Sequence, residues 1–422
     1  MMGKRELWLF TIRFPYGNGE SFLENELPVL ARGFERVKVF PLMPEGAARP
    51  VPANVEVVRL FDKDAYAAAD LATVLGDLRR FLHALRVSRA SAPSPAVYTK
   101  HRRTLISRIR QALYREGALR ARCGAGYDPA RVTLYSYWTS DWATVLGLWK
   151  LRDPRVRFHT RMMGFDMYDH RSPDNWQMLQ AFHLEQVDRV FVIAQAGMDH
   201  LTARFPQHRD KLSLSYLATN DHGAAPWSPA STLRVVSCAN LVPLKRVHLL
   251  AEALALVKGP VEWTHFGEGT ERAHVEKCVS TLPAHVQVRL KGSVPNSEIL
   301  AWYKAAPVDV FVHTSETEGG APVALQEAAS FGIPLLAADA GGVREIVTPA
   351  TGVLLPHSPT PAMLAAQLAD ASETYFSNVA QAVRELFGYD SVMVCQFEAD
   401  GDGEVIAQSR APDAQDFLGM RF

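Results

Sequence analysis

The chain has little cysteine, no excess charge of either sign and no long apolar run, and each shortage narrows what it can do. Its four cysteines, Cys123, Cys238, Cys278 and Cys395, lie far apart, with no Cys-x-x-Cys pair and no Cys/His cluster. That spacing speaks against a zinc site, and sparse cysteine fits a reducing compartment. Lys plus Arg number 45 and Asp plus Glu number 45, so no global field draws the chain to nucleic acid or to acidic partners. No stretch approaches the roughly 18 consecutive apolar residues that span a bilayer. The opening "MMGKRELWLFTIRFPYG" carries a short apolar run interrupted by Arg13 and no small-residue cleavage site. It therefore predicts a cytoplasmic protein rather than a secreted one.

What is present is alternation. Short β-branched runs such as "LWLFTI", "VKVFPL", "VTLYSYW", "RVFVIA" and "KLSLSYL" are separated by helix-like stretches. After a Pro-, Gly-, Ala- and Ser-rich segment at 218–232 the pattern restarts with "LRVVSC", "VEWTHFG", "VQVRLKG", "VDVFVHT" and "IPLLAAD". Such alternation predicts parallel sheets covered by helices on both faces. At 422 residues the chain is long for one core. The expectation is an α/β protein of two doubly wound domains facing a cleft, 1–217 and 233–373, joined by the linker 218–232. A separate tail occupies 374–422. Ligands of such sheets lie beyond the carboxyl ends of the strands.

Between residues 79 and 122, twelve Arg and Lys face one acid, Glu116, with Leu105, Ile106, Ile109, Leu113 and Leu119 interleaved. Two readings fit: a basic amphipathic helix that touches anionic lipid, or a solvated helix face packing its apolar side inward. The solvated face is preferred, because charge runs usually take that role.

The richest stretch for chemistry is "SETEGGAPVALQEAASFGIP", 315–334. It follows a buried-type strand and runs through a glycine turn into a helical segment with Pro322 in its first turn. Gly319 and Gly320 permit close approach of a ligand, and the helix start offers free amides to a diphosphate. Glu318 on the turn can accept hydrogen bonds from hydroxyls, and Glu327, further along the helix, can grip a diol. A second stretch, "VVSCANLVPLKRV" at 235–247, predicts a strand ending at Cys238 and a helix beginning near Lys245. "HFGEGTER" at 265–272 and "TIRFPYGNGESFLENEL" at 11–27 place further glycines between strand and helix. For Glu20 and Glu26 the preferred role is to cap the helix that follows.

These segments resemble the retaining GT-B glycosyltransferases of family 4, glycosyl transferases group 1. The resemblance rests on Glu318-Gly319, Pro322, Glu327-Ala328, Gly332-Ile333-Pro334 and Gly341-Gly342-Val343-Arg344-Glu345. It implies a GT-B fold of two Rossmann-like domains, the first for an acceptor and the second for a nucleotide diphosphate sugar. It assigns donor contacts to Asn240, Lys245, Gly267, Glu268, Glu318, Gly319, Gly320, Ala321 and Glu327. Glu318 would meet sugar hydroxyls, Lys245 the diphosphate and Glu327 the ribose. In the first domain it implies an acceptor or phosphate loop of Gly17, Asn18, Gly19, Arg161 and Gly164. Glu318, Lys245 and Asp166 are the residues expected at the reaction. The implied route is front-face attack with retention, using no metal and no cofactor beyond the donor, on a glycan or lipid-linked acceptor.

Three departures stand out. Eight residues separate Glu318 from Glu327, one more than the family usually has, and the extra one falls within Gly319-Gly320-Ala321. Asn240 stands where the family has an arginine, which removes a charge from the diphosphate site. Met163 stands where a histidine is expected near the reacting centre. These departures keep open a nucleotide-sugar-binding protein of impaired catalysis, and the acceptor side, which the sequence does not decode, leaves open a GT-B epimerase or phosphorylase.

The tail, 376–422, resembles the start of a phytochrome GAF domain, through Leu386-Phe387-Gly388-Tyr389-Asp390, Val392-Met393-Val394, Asp402-Gly403-Glu404-Val405 and Phe417-Leu418-Gly419. It reads as a helix, a strand, an "ADGDG" turn and a strand. It is too short to complete that domain, and no bilin is expected.

Overall fold

The structure is a computed structural model that describes residues 6–17, 19–61, 66–226, 228, 230–369, 391–397 and 403–410. The chain divides into two compact units, Met1–Ala218 and Thr219–Phe422.

The first unit holds strands β1 (Glu6–Thr11), β2 (Arg36–Pro41), β3 (Val55–Val57), β4 (Val132–Ser136), β5 (Phe158–Met162), β6 (Arg189–Val192) and β7 (Leu212–Leu214). Its helices are α1 (Leu23–Gly33), α2 (Leu71–Gly76), α3 (Leu78–Ala90), α4 (Pro95–Cys123), α5 (Asp141–Arg152), α6 (Gly164–Met167), α7 (Gln180–Gln186) and α8 (Gln195–Arg204). All seven strands run parallel in the order β3-β2-β1-β4-β5-β6-β7. Leu7, Trp8, Leu9 and Phe10 of the central β1 are all buried, as a strand covered on both faces requires. Helix α4 starts where local chemistry says it should. Ser94 accepts a hydrogen bond from the Val97 amide, and Pro95 takes the first helical position, where its missing N–H costs nothing.

The basic stretch is divided between α3 and α4 and is for the most part the expected solvated face, with two arginines turned inward. Arg80 and Arg115 are 8% and 1% exposed. Arg80 pairs with Asp77 and donates to the Leu148 carbonyl (2.8 Å), and Arg115 pairs with Asp141 (2.6 Å). Lys100 and His101 both reach Asp174. The acids that look missing at 79–122 are supplied by other elements, while Leu105, Ile109, Leu113 and Leu119 enter the core.

The second unit repeats the plan. Strands β8 (Leu233–Cys238), β9 (Val261–Phe266), β10 (Val286–Leu290), β11 (Val310–His313), β12 (Leu335–Ala338) and β13 (Gly352–Leu355) form a parallel sheet in the order β10-β9-β8-β11-β12-β13. Helices α9 (His248–Leu254), α10 (Arg272–Val279), α11 (Asn296–Ala305) and α12 (Val323–Ser330) connect them. Alternate strand residues feed two cores. Val235, Trp263, Val310 and Val312 join one, and Val236, Phe311, Leu335 and Ala337 join the other, which is the period-two alternation of a doubly covered sheet. In each sheet the strand order reverses beside the central strand, between β1 and β4 and between β8 and β11. Such reversals open a crevice at the carboxyl edge.

In the tail, Ser391–Phe397 and Gly403–Arg410 pair antiparallel, with a register shift between Val394 and Cys395. The expected helix before them and the turn between them lie outside the described residues.

Candidate functional site

At the reversal in the second sheet, β8 hands over to a loop that ends in a short 3-10 turn, Pro243–Lys245. The helix expected near Lys245 begins at His248 instead. The reason is Arg246, which sits in the left-handed region (φ 45°), a conformation that interrupts a helix. Its guanidinium donates to the carbonyls of Thr314 (2.9 Å), Ser315 (3.1 Å) and His357 (2.9 Å). The Thr314 hydroxyl donates back to the carbonyl of Lys245 (2.9 Å). Arg246 thus rivets the loop after β8 to the loop after β11, and its charge is committed to carbonyls.

This riveting brings Lys245 to Glu318, seventy-three positions away. The two form an ion pair, and the same Glu318 oxygen accepts from His313 Nε2 at 2.8 Å. Burial works to raise the Glu318 carboxyl, but the His313 hydrogen bond and the Lys245 charge outweigh it and hold the group down at about 2. Sequence reading missed His313. Its signal was its place as the last residue of a buried strand, five positions before Glu318. Asn240 is exposed and brings no charge.

The glycines near this cluster are required by backbone packing. A Cβ on Gly341 would lie 2.3 Å from the Glu318 carbonyl oxygen, and one on Gly342 would lie 2.6 Å from the Ala321 nitrogen. The Gly-Gly pair of the 3-10 turn Gly341–Glu345 is therefore the platform on which the turn Glu318–Ala321 rests. Gly267 and Gly269 do the same for the other loop. Their Cβ atoms would fall 1.9 Å from the Ala239 oxygen and 2.2 Å from the Leu241 oxygen. Glu268 is turned toward Arg272 (3.0 Å), while its carbonyl accepts from the Leu241 amide (3.0 Å).

Gly319, Gly320 and Ala321 precede α12, whose N-cap position is Pro322. Gly320 and Ala321 are buried and Gly319 is partly exposed. Glu327 lies on the buried side of α12 at 5% exposure, and one of its oxygens accepts from Asn296 Nδ2 (2.9 Å). Burial raises its carboxyl.

In the first unit, the expected acceptor loop is organised by an acid. Glu20 accepts from the amides of Ile12 (3.1 Å), Arg13 (2.7 Å) and Phe14 (2.7 Å), and from Trp138 Nε1 (2.6 Å). Glu26 accepts from Tyr137 Oη (2.5 Å) and Arg161 Nη2 (3.0 Å). Neither caps α1, contrary to the reading from sequence: both carboxylates have stronger donors across the sheet edge. Gly17 takes φ 63°, and its amide donates to Ala47 (3.1 Å). Gly19 accepts from Arg49 (2.5 Å). Asn18 lies outside the described residues. Arg161, 5% exposed, is further held by Tyr135 Oη (2.9 Å) and the Ser215 carbonyl (3.0 Å).

Gly164 opens α6, and Met163 just before it is buried. Asp166 spends its two oxygens on the Met163 amide (2.6 Å) and the Thr139 amide (2.8 Å). Burial pushes its carboxyl up to about 7 against those two amides. Among the described residues no group of three or more His, Cys, Asp or Glu is arranged to hold a metal, and no helix is long and apolar enough to cross a membrane.

Residues 228–384 match the family model of glycosyl transferases group 1. Two relatives are GDP-mannose-dependent alpha-mannosyltransferases. That of Mycobacterium tuberculosis is 33% identical over 41% of this chain and 46% of its own length. That of Mycolicibacterium smegmatis is 31% identical over 54% of this chain and 61% of its own length. The matches thus span about half the length of these relatives. A short likeness, 41% identical over 13% of this chain and 8% of the relative, is to a bacteriophytochrome of Pseudomonas aeruginosa. Among solved structures, HepE of Anabaena in complex with UDP and glucose superposes with a TM-score of 0.56 over 90% of this chain and 95% of that one, at 16% identity. The chain has the GT-B fold, and residues 228–384 are similar to the glycosyl transferases group 1.

Proposed function

We propose that the chain is a retaining glycosyltransferase that moves a sugar from a nucleotide diphosphate sugar to a glycan or lipid-linked acceptor. The observation that carries this reading is Lys245, Glu318 and the start of α12 meeting at the carboxyl edge of β8 and β11, inside the segment that matches the family. Lys245 and the turn amides of Gly319, Gly320 and Ala321 receive the diphosphate. Glu318 meets sugar hydroxyls and Glu327 the ribose. Gly267 and Glu268 support the loop that carries Asn240 from below. In the first unit Gly17, Asn18, Gly19, Arg161 and Gly164 shape the acceptor side, and Asp166 positions the loop containing Met163.

The acceptor hydroxyl forms its bond to the anomeric carbon as the carbon–oxygen bond to the diphosphate breaks, on the same face. The hydroxyl proton passes to the departing phosphate oxygen. Catalysis is then positioning and stabilisation of the leaving group, with no metal and no cofactor beyond the donor. The two mannosyltransferase relatives make GDP-mannose the first donor to try. If the acceptor is lipid-linked, the exposed Arg102, Arg103 and Arg108 of α4 suit an anionic bilayer surface.

One observation favours a second reading, a nucleotide-sugar-binding protein of impaired catalysis. A diphosphate must compete with Glu318 for Lys245, and Asn240 adds no charge. The test is release of nucleoside diphosphate from GDP- and UDP-sugars with mixed acceptors, with anomeric configuration read by NMR. Transfer with retained configuration supports the transferase. Saturable binding without release supports the second reading, and inverted product contradicts retention.

A further inference from the structure

The basic helix α4 does something that the donor site does not explain. Arg108, Ala112 and Arg115 stand at i, i+4 and i+7, one stripe of the helix, and all three line a single cavity in the first unit. Arg171 lines it from another side, and Thr139, Ser140 and Asp141, at the start of α5, close it at the carboxyl edge of the sheet. Ala112 leaves room between the two arginines of its helix.

Among the buried polar atoms of this wall without a partner are Ser140 Oγ and Gln180 Oε1, beside His183 Nδ1. Ser140 holds the N-cap position of α5, but its hydroxyl makes no capping bond and is buried unpaired. Gln180 is 3% exposed, and its amide nitrogen donates to the carbonyls of Asp166 (3.0 Å) and Met167 (2.8 Å). Those bonds fix the amide and leave Oε1 buried without a donor. Unsatisfied buried polar atoms are costly and call for an explanation.

Charge in the wall is predominantly positive. Asp141 is paired with Arg115, and Asp166 has both oxygens on main-chain amides. The guanidiniums suit the planar, multiple acceptors of a phosphate. Gln180 Oε1 can only accept, so it suits a hydroxyl beside that phosphate.

We propose that this cavity binds a hydroxyl-bearing phosphate ester, held by Arg108 and Arg171 at the phosphate, with the Arg115–Asp141 pair as its wall, and by Gln180 and Ser140 at a neighbouring hydroxyl. That this ester belongs to the acceptor rests on the transferase reading; the binding itself does not.

The test is calorimetric titration of the full chain with glycerol 3-phosphate, inorganic phosphate and glycerol, in parallel with GDP-mannose. Glycerol 3-phosphate is expected to bind more tightly than phosphate, and glycerol not at all. Arg108 is exposed, so Arg108→Glu should fold, abolish glycerol 3-phosphate binding and leave nucleotide-sugar affinity unchanged. Arg108→Ala should weaken the ester by about tenfold, the loss of one charged hydrogen-bond partner. Lys245→Ala should do the reverse, sparing the ester. Vesicles containing phosphatidylglycerol separate the sources: binding lost in Arg108→Glu but kept in Arg209→Glu, an exposed arginine outside the cavity, points to a lipid headgroup. Failure of every phosphate ester and vesicle to bind overturns the proposal, as does binding that survives Arg108→Glu or falls equally with Lys245→Ala. Loss of nucleotide-sugar binding alone would instead overturn the donor reading and leave this cavity standing.

Discussion

The two sheets share a strand order and a reversal point but use their charged residues in opposite ways. At the edge of the first sheet the carboxylates hold the scaffold. Glu20 gathers three amides of the loop after β1, Glu26 holds Arg161, and Asp166 ties two loops together. At the edge of the second, scaffold is made by glycine contacts and by Arg246 reaching carbonyls, while Lys245, Glu318 and His313 face one another. One topology thus yields a framework built by acids in one unit and by backbone proximity in the other. The second arrangement pairs Lys245, Glu318 and His313 with one another rather than with the backbone.

The largest effects should come from the second unit's glycines. Gly341→Ala and Gly267→Ala drive a Cβ into a carbonyl and should cost about 3 kcal/mol or more. Gly17→Ala, with its nearest atom at 3.5 Å, should cost only about 1 kcal/mol, the left-handed penalty. Denaturant unfolding checks the contrast, and equal losses would break it.

Next are the acids. Glu20→Gln places an amide nitrogen against backbone donors and should destabilise by about 2–3 kcal/mol. Glu318→Gln should instead release Lys245 and tighten nucleoside diphosphate binding several-fold while lowering turnover. Calorimetry and product release measure the split.

The two edges should also respond oppositely to pH. Glu318 is depressed from 4.5 to about 2, so its contribution is present above about pH 4.5 and is lost as pH falls toward 2. Asp166 is raised from 3.8 to about 7, so its contribution is complete below about pH 4 and is lost as pH rises through 7. Unfolding free energies across pH should show each slope flattened in Glu318→Gln and Asp166→Asn respectively. The smallest effect on the fold is Asn240→Arg. This exposed change should alter stability by less than about 0.5 kcal/mol, yet tighten the nucleoside diphosphate by restoring a cation.

The sheets and the glycine turn were legible because period-two burial and strand–turn–helix chemistry are local. Glu318 could be singled out for the same reason and Lys245 by the family resemblance, but their contact could not: it depends on Arg246 leaving the helical region and bonding to Thr314 and Ser315. Glu20 and Glu26 were misread because capping is a local rule, and here donors from Trp138, Tyr137 and Arg161 win. The solvated face of 79–122 was legible, but the ion pairs of Arg80 and Arg115 were not, since Asp77 and Asp141 come from elsewhere.

The central claim is that Lys245 in the second unit holds the diphosphate of a nucleotide sugar. Its most direct test is calorimetric titration of GDP-mannose and UDP-glucose into the wild type and Lys245→Ala, with matched unfolding curves. Saturable binding of one donor, lost by about tenfold or more in Lys245→Ala at unchanged stability, is the expected result. Binding of equal strength in both proteins, or binding of neither donor by the wild type, would contradict it.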